Sequence, residues 1–342
     1  MNAPKVSFAV SVYNNAPYIE RAARCLFEQT LDDLEFVFVD DASPDNSMEI
    51  LYRVLADYPH RQHQVKVFTH EKNLGCAATK RDSYLFATGQ YVLLFDSDDY
   101  AEPDIAEKLY LKAIETDADM VVTNATYEGA DGIRRKIDFL PNGVIGDGEN
   151  VRIDTYIRNI MGTLWNRLVR RSIYTENNII WPTSDKISDQ PIAVQFSYYC
   201  KKVAGVEEEL YHYVQYPTSV SHDGTIEGRL KIFHSFKTNY ELIEDFLKSK
   251  GLYEEYKDLL TLNCKAQIKC VLLDFIADPT IRRLWLKTYP EVNRMYLWGN
   301  AAVKTSYREQ LSFICIALGV YPKLKKILYS RHLRPRLGYW LR

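Results

Sequence analysis

The chain has almost no net charge for its size: 43 basic against 45 acidic residues leave −2 over 342 positions. A surface built to neutralise a phosphate polymer carries a clear excess of Lys and Arg, so nucleic acid is not an expected partner. Clustered cysteine is also missing. Cys25, Cys76, Cys200, Cys264, Cys270 and Cys315 are scattered, with no C-x-x-C pair and no clustered histidines. That pattern speaks against a zinc site and a disulfide framework, and for a reducing compartment. Long apolar runs are absent too. The first, Val6 to Val12, is short and interrupted by serines, unlike a secretory leader. The longest, Leu311 to Tyr321, falls well short of the roughly 20 residues that cross a bilayer. These absences predict a cytoplasmic protein that does not span a membrane. Finally, no G-x-x-x-x-G-K-S/T loop and no G-x-G-x-x-G follows the first apolar run. A diphosphate bound here would lack the usual backbone cradle, and a metal and a cationic side chain would have to carry its charge.

What the chain does contain is a soluble globular composition, 46% apolar and 26% charged, long enough for one large or two moderate domains. Up to about residue 125 two periodicities alternate. Strand-like runs fall at Val6–Val12, Glu35–Val39, Val65–Thr69, Tyr91–Phe95 and Met120–Thr123. Helical spacing fills Pro17–Gln29, Ser47–Asp57, Gly75–Thr88 and Asp104–Thr116. Such alternation predicts an α/β fold, a mostly parallel sheet flanked by helices. Ligands bind such sheets beyond the carboxyl ends of the strands, at the switch point of strand order. Tyr13-Asn14, Asp40-Asp41 and Asp96–Asp99 all occupy strand ends and should converge on one crevice. Further on, Glu128 to Asn150 reads as a loop or hairpin, Pro191–Cys200 as a helix and Glu209–Val214 as a strand. Composition shifts near Gly228, beyond which helical segments are interrupted at Pro279, Pro290 and Gly319. The organisation expected is a domain over 1–225, with a nucleotide half at 1–125 and an acceptor half at 126–225, then a smaller helical region over 226–342.

The densest chemistry is Phe95-Asp96-Ser97-Asp98-Asp99, three carboxylates in four residues directly after an apolar run. Carboxylates this close raise one another's pKa unless a cation lies between them. A hard divalent ion with oxygen ligands, Mn²⁺ or Mg²⁺, is the natural neutraliser, and the alternative is a plain acidic turn. Tyr13 at the end of the first strand and Asp41 at the end of the second could hold a planar base. The ring would stack on Tyr13 and the carboxylate accept an imide N–H, which suits uracil better than adenine. Ser43 and Asp45 could instead simply cap the next helix. Lys80 or Arg81 could supply the cation for a diphosphate.

At this point the chain resembles a known family. VSFAVSVYN, EFVFVDDASPDNS, NLGCAATKRDSYLFATGQY and LFDSDD, in this order, look like the family 2 glycosyltransferases of the GT-A fold. The likeness is dense over residues 4–125 and sparser through Leu164–Leu168, Ser188-Asp189 and Leu210–Tyr213 to Ser219. It implies that Tyr13 and Asp41 hold the uracil, with Val12, Asn14, Lys80 and Ser97 in the same nucleotide-sugar site. Asp96 would contact ribose, or metal through water, and Asp98 would ligate the metal at the diphosphate. Asp189 falls where the family places its general base, commonly the second acid of a Glu-Asp pair; here Ser188 replaces the first. Lys80-Arg81 stands where relatives often have Arg-Asn, which keeps the cation and loses the bidentate fork. Taken alone, Asp189 reads as a first-turn acid ahead of Pro191. Trp165, flanked by polar Asn166 and Arg167, reads as a wall of the acceptor pocket, with a buried core Trp as the alternative; Asn166 is expected to bind the acceptor, and His212 and His222 read as structural.

The resemblance implies an inverting, metal-assisted transfer of a hexose or N-acetylhexosamine from a UDP-sugar to a glycan or polyprenyl-linked acceptor, in bacterial surface-polysaccharide assembly. A sugar nucleotidyltransferase would share the sheet and metal, but should carry a Gly-rich loop after the first strand. A non-catalytic sugar-nucleotide-binding protein would have no reason to keep both D-x-D and Asp189. From Tyr321 to Arg342 basic residues alternate with Leu324, Ile327, Leu328, Leu333, Leu337, Tyr339 and Trp340 without any acid. That tail could dock on an anionic membrane face or pack back on the protein.

Overall fold

The computed structural model describes residues 3–139, 162–184, 186, 188–216, 225–272, 278–299 and a few positions between 304 and 318. Two compact units divide the chain, Met1–Ile243 and Glu244–Arg342. The first is built on strands β1 (Val6–Val12), β2 (Leu34–Asp40), β3 (Val65–Thr69) and β4 (Tyr91–Asp96), all paired in parallel. Both faces of β1, β2 and β4 are buried, which is why their sequences run apolar without strict alternation. Helices α1 (Ile19–Phe27), α2 (Ser47–Ala56), α3 (Cys76–Phe86) and α4 (Ile105–Thr116) connect them. In α1 the buried set is Ile19, Ala22, Ala23, Leu26 and Phe27, one stripe at helical spacing. The Phe27 ring meets Phe36 and Phe38 on β2.

Strand order is β3-β2-β1-β4. The chain moves outward from β1 to β3 and then returns to the other side of β1. The reversal lies between β1 and β4 and opens a crevice above their carboxyl ends.

Beyond β4 the sheet changes character. Strand β8 (Arg167–Arg170) inserts antiparallel between β4 and β6 (Met120–Glu128), and β7 (Arg134–Ile137) folds back on β6 as a hairpin. Strand β9 (Val203–Val214) runs parallel to β6 and pairs antiparallel with the short β5 (Tyr100–Ala101). Both β6 and β9 are longer than the sequence predicts. Polar residues hide the continuation of β6: buried Thr123 and Asn124 donate to the carbonyls of Glu208 (2.8 Å) and Glu207 (2.9 Å) across an irregular register. Helices α5 (Ser172–Thr175) and α6 (Asp189–Tyr199) complete the half that follows β4.

At the opposite end of the sheet a buried polar knot ties the layers. Ser7 and Thr88 hydroxyls and the Thr88 N–H all donate to Glu35, and the Lys66 ammonium lies 2.6 Å from the same carboxylate. Gly89 sits so close that a Cβ there would come within 2.6 Å of the Ser7 hydroxyl.

Helix α7 (Ile226–Ser249) begins in the first unit and ends in the second. It is followed by α8 (Tyr253–Leu272), α9 (Pro279–Thr288) and α10 (Pro290–Trp298). Pro279 and Pro290 open helices rather than break them, since a first-turn proline loses no helical hydrogen bond. Asp278 caps α9 by accepting from the Thr280 and Ile281 N–H groups. Among the described residues no helix is long and apolar enough to cross a membrane. The Tyr321–Arg342 tail, Gly319 and His222 lie outside the described residues.

Candidate active site

Three strand ends are stitched together above the crevice. Asn14 and Ala42, just past β1 and β2, adopt the left-handed region with φ of 53° and 54°. For Ala42 that costs about 1–2 kcal/mol, which the surrounding bonds must offset. Backbone N–H groups of Asn14, Asn15 and Ala16 donate to Ser43 Oγ (3.2 Å), Ser47 Oγ (2.9 Å) and Asp45 Oδ2 (2.8 Å). The Asn15 amide reaches Ser97 Oγ, which donates to the Ser11 carbonyl at 2.7 Å. Ser43 and Asp45 join the first loop to the second, and Asp45 Oδ1 also accepts from the Ser47 N–H (3.2 Å) at the head of α2, where Asn46 itself makes no side-chain cap bond. Partial burial disfavours charge on Asp45, yet the Ser47 hydroxyl and the Ala16 N–H hold its carboxyl below the ordinary range.

Tyr13 is 46% exposed at this rim, open to stack on a planar ligand. Asp41 is placed differently from a free acceptor. It is buried, and it accepts from the N–H groups of Leu74 (2.7 Å) and Gly75 (2.9 Å) and meets His70 Nδ1 at 2.7 Å. Three of about four lone-pair directions are thus taken. Its first job is to fold the 70–75 loop over β2, and one direction remains for a ligand. Gly75, at φ 90°, makes the turn into α3. His70, which also reaches Asp82 Oδ2 at 3.1 Å, carries no sequence signal that would have singled it out.

The acidic end holds Asp96, Asp98 and Asp99. Asp99 is committed to the core: it accepts from the Val214 N–H and the Tyr211 hydroxyl, both at 2.8 Å. Burial, then the Asp98 and Asp96 charges, push its carboxyl well above the ordinary range. Asp96 and Asp98 stay partly exposed. Burial and the Asp96 charge push Asp98 up to about 6, and a cation beside it would favour its charged form. Among the described residues no group of three or more His, Cys, Asp or Glu side chains is arranged to hold a metal ion. Two carboxylates with the remaining positions open is the donor set of a hard divalent ion that also takes substrate phosphate oxygens and water. The residues fit that type of site and not a closed protein cage.

Asp189 is the first residue of α6, far from Asp96 in sequence, and Lys80 joins them. The buried ammonium lies 3.1 Å from Asp96 Oδ1 and 3.1 Å from Asp189 Oδ1. Burial alone would lower the Lys80 pKa, but Asp189 and then Asp96 outweigh it and hold it well above the usual lysine value. Burial raises Asp189 in turn, against the opposing pull of Lys80. Two supports hold α6 in place: the Gln195 side chain bonds the Ile180 N–H and carbonyl, both at 2.8 Å, and Asn239 on α7 binds Ser184 and the Lys186 carbonyl in the loop leading to Asp189. Arg81 turns away into a pair with Asp82 at 2.7 Å, so of the two neighbours it is Lys80 that meets Asp96 and Asp189.

Trp165 is 3% exposed, stacked on Tyr211 and Tyr213 with centroids 4.5 and 5.5 Å away. The Asn166 amide is buried between Thr163 and the Thr123 carbonyl. Trp165 thus occupies the core alternative that the sequence left open, and Asn166, expected at the acceptor, is buried as well. His212 is held by Glu102 at 2.8 Å and stacks on Tyr100, a structural setting.

A sheet that reverses its strand order above a crevice, with a D-x-D loop at the reversal, has the architecture of a GT-A glycosyltransferase. The profile described as "Glycosyl transferase family 2" matches residues 7–177, half of the chain, and the protein belongs to that family. It is similar to the putative glycosyltransferase EpsH of Bacillus subtilis, with 28% identity over 84% of this chain and 82% of the relative. It is also similar to the cholesterol galactosyltransferase of Borreliella burgdorferi, with 28% identity over 75% and 71%. Among solved structures, S. aureus TarS 1-349 in complex with UDP-GlcNAc superposes with a TM-score of 0.71 at 15% identity, covering 97% and 93% of the two chains. A Pyrobaculum calidifontis mannosyltransferase in complex with GDP-Man and Mn²⁺ gives 0.51 at 16% identity, covering 97% and 89%.

Proposed function

We propose that the protein is an inverting, metal-assisted glycosyltransferase that moves a hexose or N-acetylhexosamine from a UDP-sugar to a glycan or lipid-linked saccharide. The observation that carries this reading is the shared lysine: Lys80 holds Asp96 of the D-x-D loop and Asp189 at 3.1 Å each. Donor acid and base thus stand on two sides of one cation. Tyr13 stacks on the base, the loop closed by Asp41 borders it, and Val12, Asn14 and Ser97 line the strand ends beside it. Asp98, with Asp96, would hold Mn²⁺ or Mg²⁺ against the diphosphate, where the ion offsets charge on the leaving group. Asp189 takes the proton of the acceptor hydroxyl as that oxygen attacks the anomeric carbon from the face opposite the diphosphate. Such help is worth about 10²–10⁴-fold. Lys80 opposes the burial that raises Asp189 and favours its charged form, and would lie within reach of the diphosphate oxygens.

The second half of the first unit, up to about residue 225, would seat the acceptor, and the helical region beyond would serve as an accessory to it. Work at the cytoplasmic face of a membrane fits a lipid-linked acceptor. Relatives named for cholesterol and for poly(ribitol-phosphate) show how widely acceptors vary among similar chains. Donors vary as well, since similar folds hold UDP-GlcNAc and GDP-Man. The deciding experiment is nucleotide release from a panel of UDP- and GDP-sugars, with and without Mn²⁺. The reading predicts metal-dependent release from a UDP-sugar; release from GDP-sugars alone, or release indifferent to chelation, contradicts it.

A further inference from the structure

Arg21 lies on α1, outside the motifs that carry the sequence resemblance. Its guanidinium donates to the Asp98 carbonyl at 2.6 Å and to the Tyr216 hydroxyl at 2.6 Å, and Tyr216 donates to the same carbonyl at 3.2 Å. The guanidinium also lies over the Tyr100 ring, 4.7 Å from its centroid, and Tyr216 stacks on Tyr18 at 4.0 Å. Residues from α1, from the start of β5 and from beyond β9 therefore close a small cage around the backbone of one D-x-D residue. On its other side the same loop is pinned through Asp99 by Tyr211 and Val214. A charge-assisted bond to a backbone carbonyl is among the stronger neutral-to-ion contacts, and the aromatic face beneath it fixes the guanidinium plane.

We propose that Arg21, with the Tyr216 hydroxyl, is a positioning residue for the donor site: it acts through the Asp98 carbonyl to hold the carboxylate of Asp98 where a divalent cation and a nucleoside diphosphate meet. The inference rests on the metal-assisted reading above. Groups that orient a metal ligand from behind typically set its affinity by about 10- to 100-fold when removed.

The test is calorimetric UDP binding to the full chain across a Mn²⁺ series, for wild type, Arg21→Ala, Arg21→Lys and Tyr216→Phe, with thermal melting of each in metal-free buffer. Tyr216→Phe keeps the stack on Tyr18 and removes only the hydroxyl. The expected result is a Mn²⁺ midpoint raised about 10-fold or more in Arg21→Ala, with a smaller rise in the same direction in Arg21→Lys and in Tyr216→Phe. A merely structural role would lower the melting temperature and leave that midpoint in place. If Arg21→Ala does not fold, Arg21→Lys and Tyr216→Phe decide. Wild-type midpoints in the folded variants overturn the inference alone. Wild-type protein that binds UDP equally well without metal overturns the underlying reading, and this inference with it.

Discussion

Replacing Asp189 with Asn removes one charge and almost no volume, so chemistry and folding can be separated at this position. On the folding side, Lys80 keeps Asp96 at 3.1 Å, and an amide oxygen at position 189 can still accept from the ammonium. The first residue of α6 also loses a favourable charge at the helix N-terminus, worth about 0.3–1 kcal/mol. Together with a weakened bond to Lys80, the stability cost should be about 1–2 kcal/mol. On the chemical side, loss of a general base costs about 10²–10⁴ in rate, or roughly 3–5 kcal/mol of barrier at 1.36 kcal/mol per tenfold. The two effects differ enough to be read independently: melting temperature for the first, single-turnover nucleotide release from the active donor for the second. UDP affinity in the presence of Mn²⁺ should stay within a few-fold of wild type, because among the described residues Asp189 is joined to the D-x-D loop through Lys80 and not by a bond of its own. Turnover of Asp189→Asn within a few-fold of wild type would refute the assignment of the base. Loss of UDP binding alongside turnover would refute the division of labour between Asp189 and the D-x-D loop.

Tyr13→Ala removes a half-exposed ring, so UDP affinity should fall by about 5- to 150-fold, the 1–3 kcal/mol that stacking typically supplies, with little change in unfolding; equal affinity by calorimetry would move the base to another pocket. Asp41→Ala should weaken UDP binding too, but also stability, since it strips acceptors from Leu74, Gly75 and His70. Glu35→Gln should destabilise the protein by about 1.5–3 kcal/mol in urea unfolding at neutral pH. Burial works against the Glu35 charge, but Lys66, Ser7 and Thr88 hold its carboxyl below the ordinary range. Its contribution is therefore complete above the ordinary glutamate pKa and is lost as pH falls through the lower folded-state value. A wild-type advantage that persists unchanged into acid would refute that account. For the Tyr321–Arg342 segment, docking on anionic lipid predicts low-salt flotation with anionic vesicles that is lost when the chain ends at Val320; equal flotation of the shorter chain contradicts it.

The first half of the fold was legible because β1, β2 and β4 are buried on both faces and announce themselves as apolar runs, while the acids and Tyr13 fall at the ends of those runs. The second half was not. Strand β8 is only Arg167–Arg170, too short to show a period, and β6 hides its continuation behind polar residues that find partners only across the sheet. Trp165 could be placed in the core only once Tyr211 and Tyr213 were known to stack on it. Asp41 read as a free acceptor because the donors it meets, the Leu74 and Gly75 N–H groups, are backbone atoms with no residue signature. The same limit hid Arg21 and Tyr216, which meet across 195 positions at a carbonyl that any residue could supply.

The central claim is that one crevice holds a nucleoside diphosphate and a divalent cation on Asp98. Calorimetric titration of UDP into wild-type protein and Asp98→Asn, each with Mn²⁺ and with chelator, tests it most directly. The account predicts tight binding only for wild type with Mn²⁺, a drop of about 10-fold or more on chelation, a comparable drop in Asp98→Asn with metal present, and unchanged melting of the variant. Equal UDP affinity in all four titrations would contradict it.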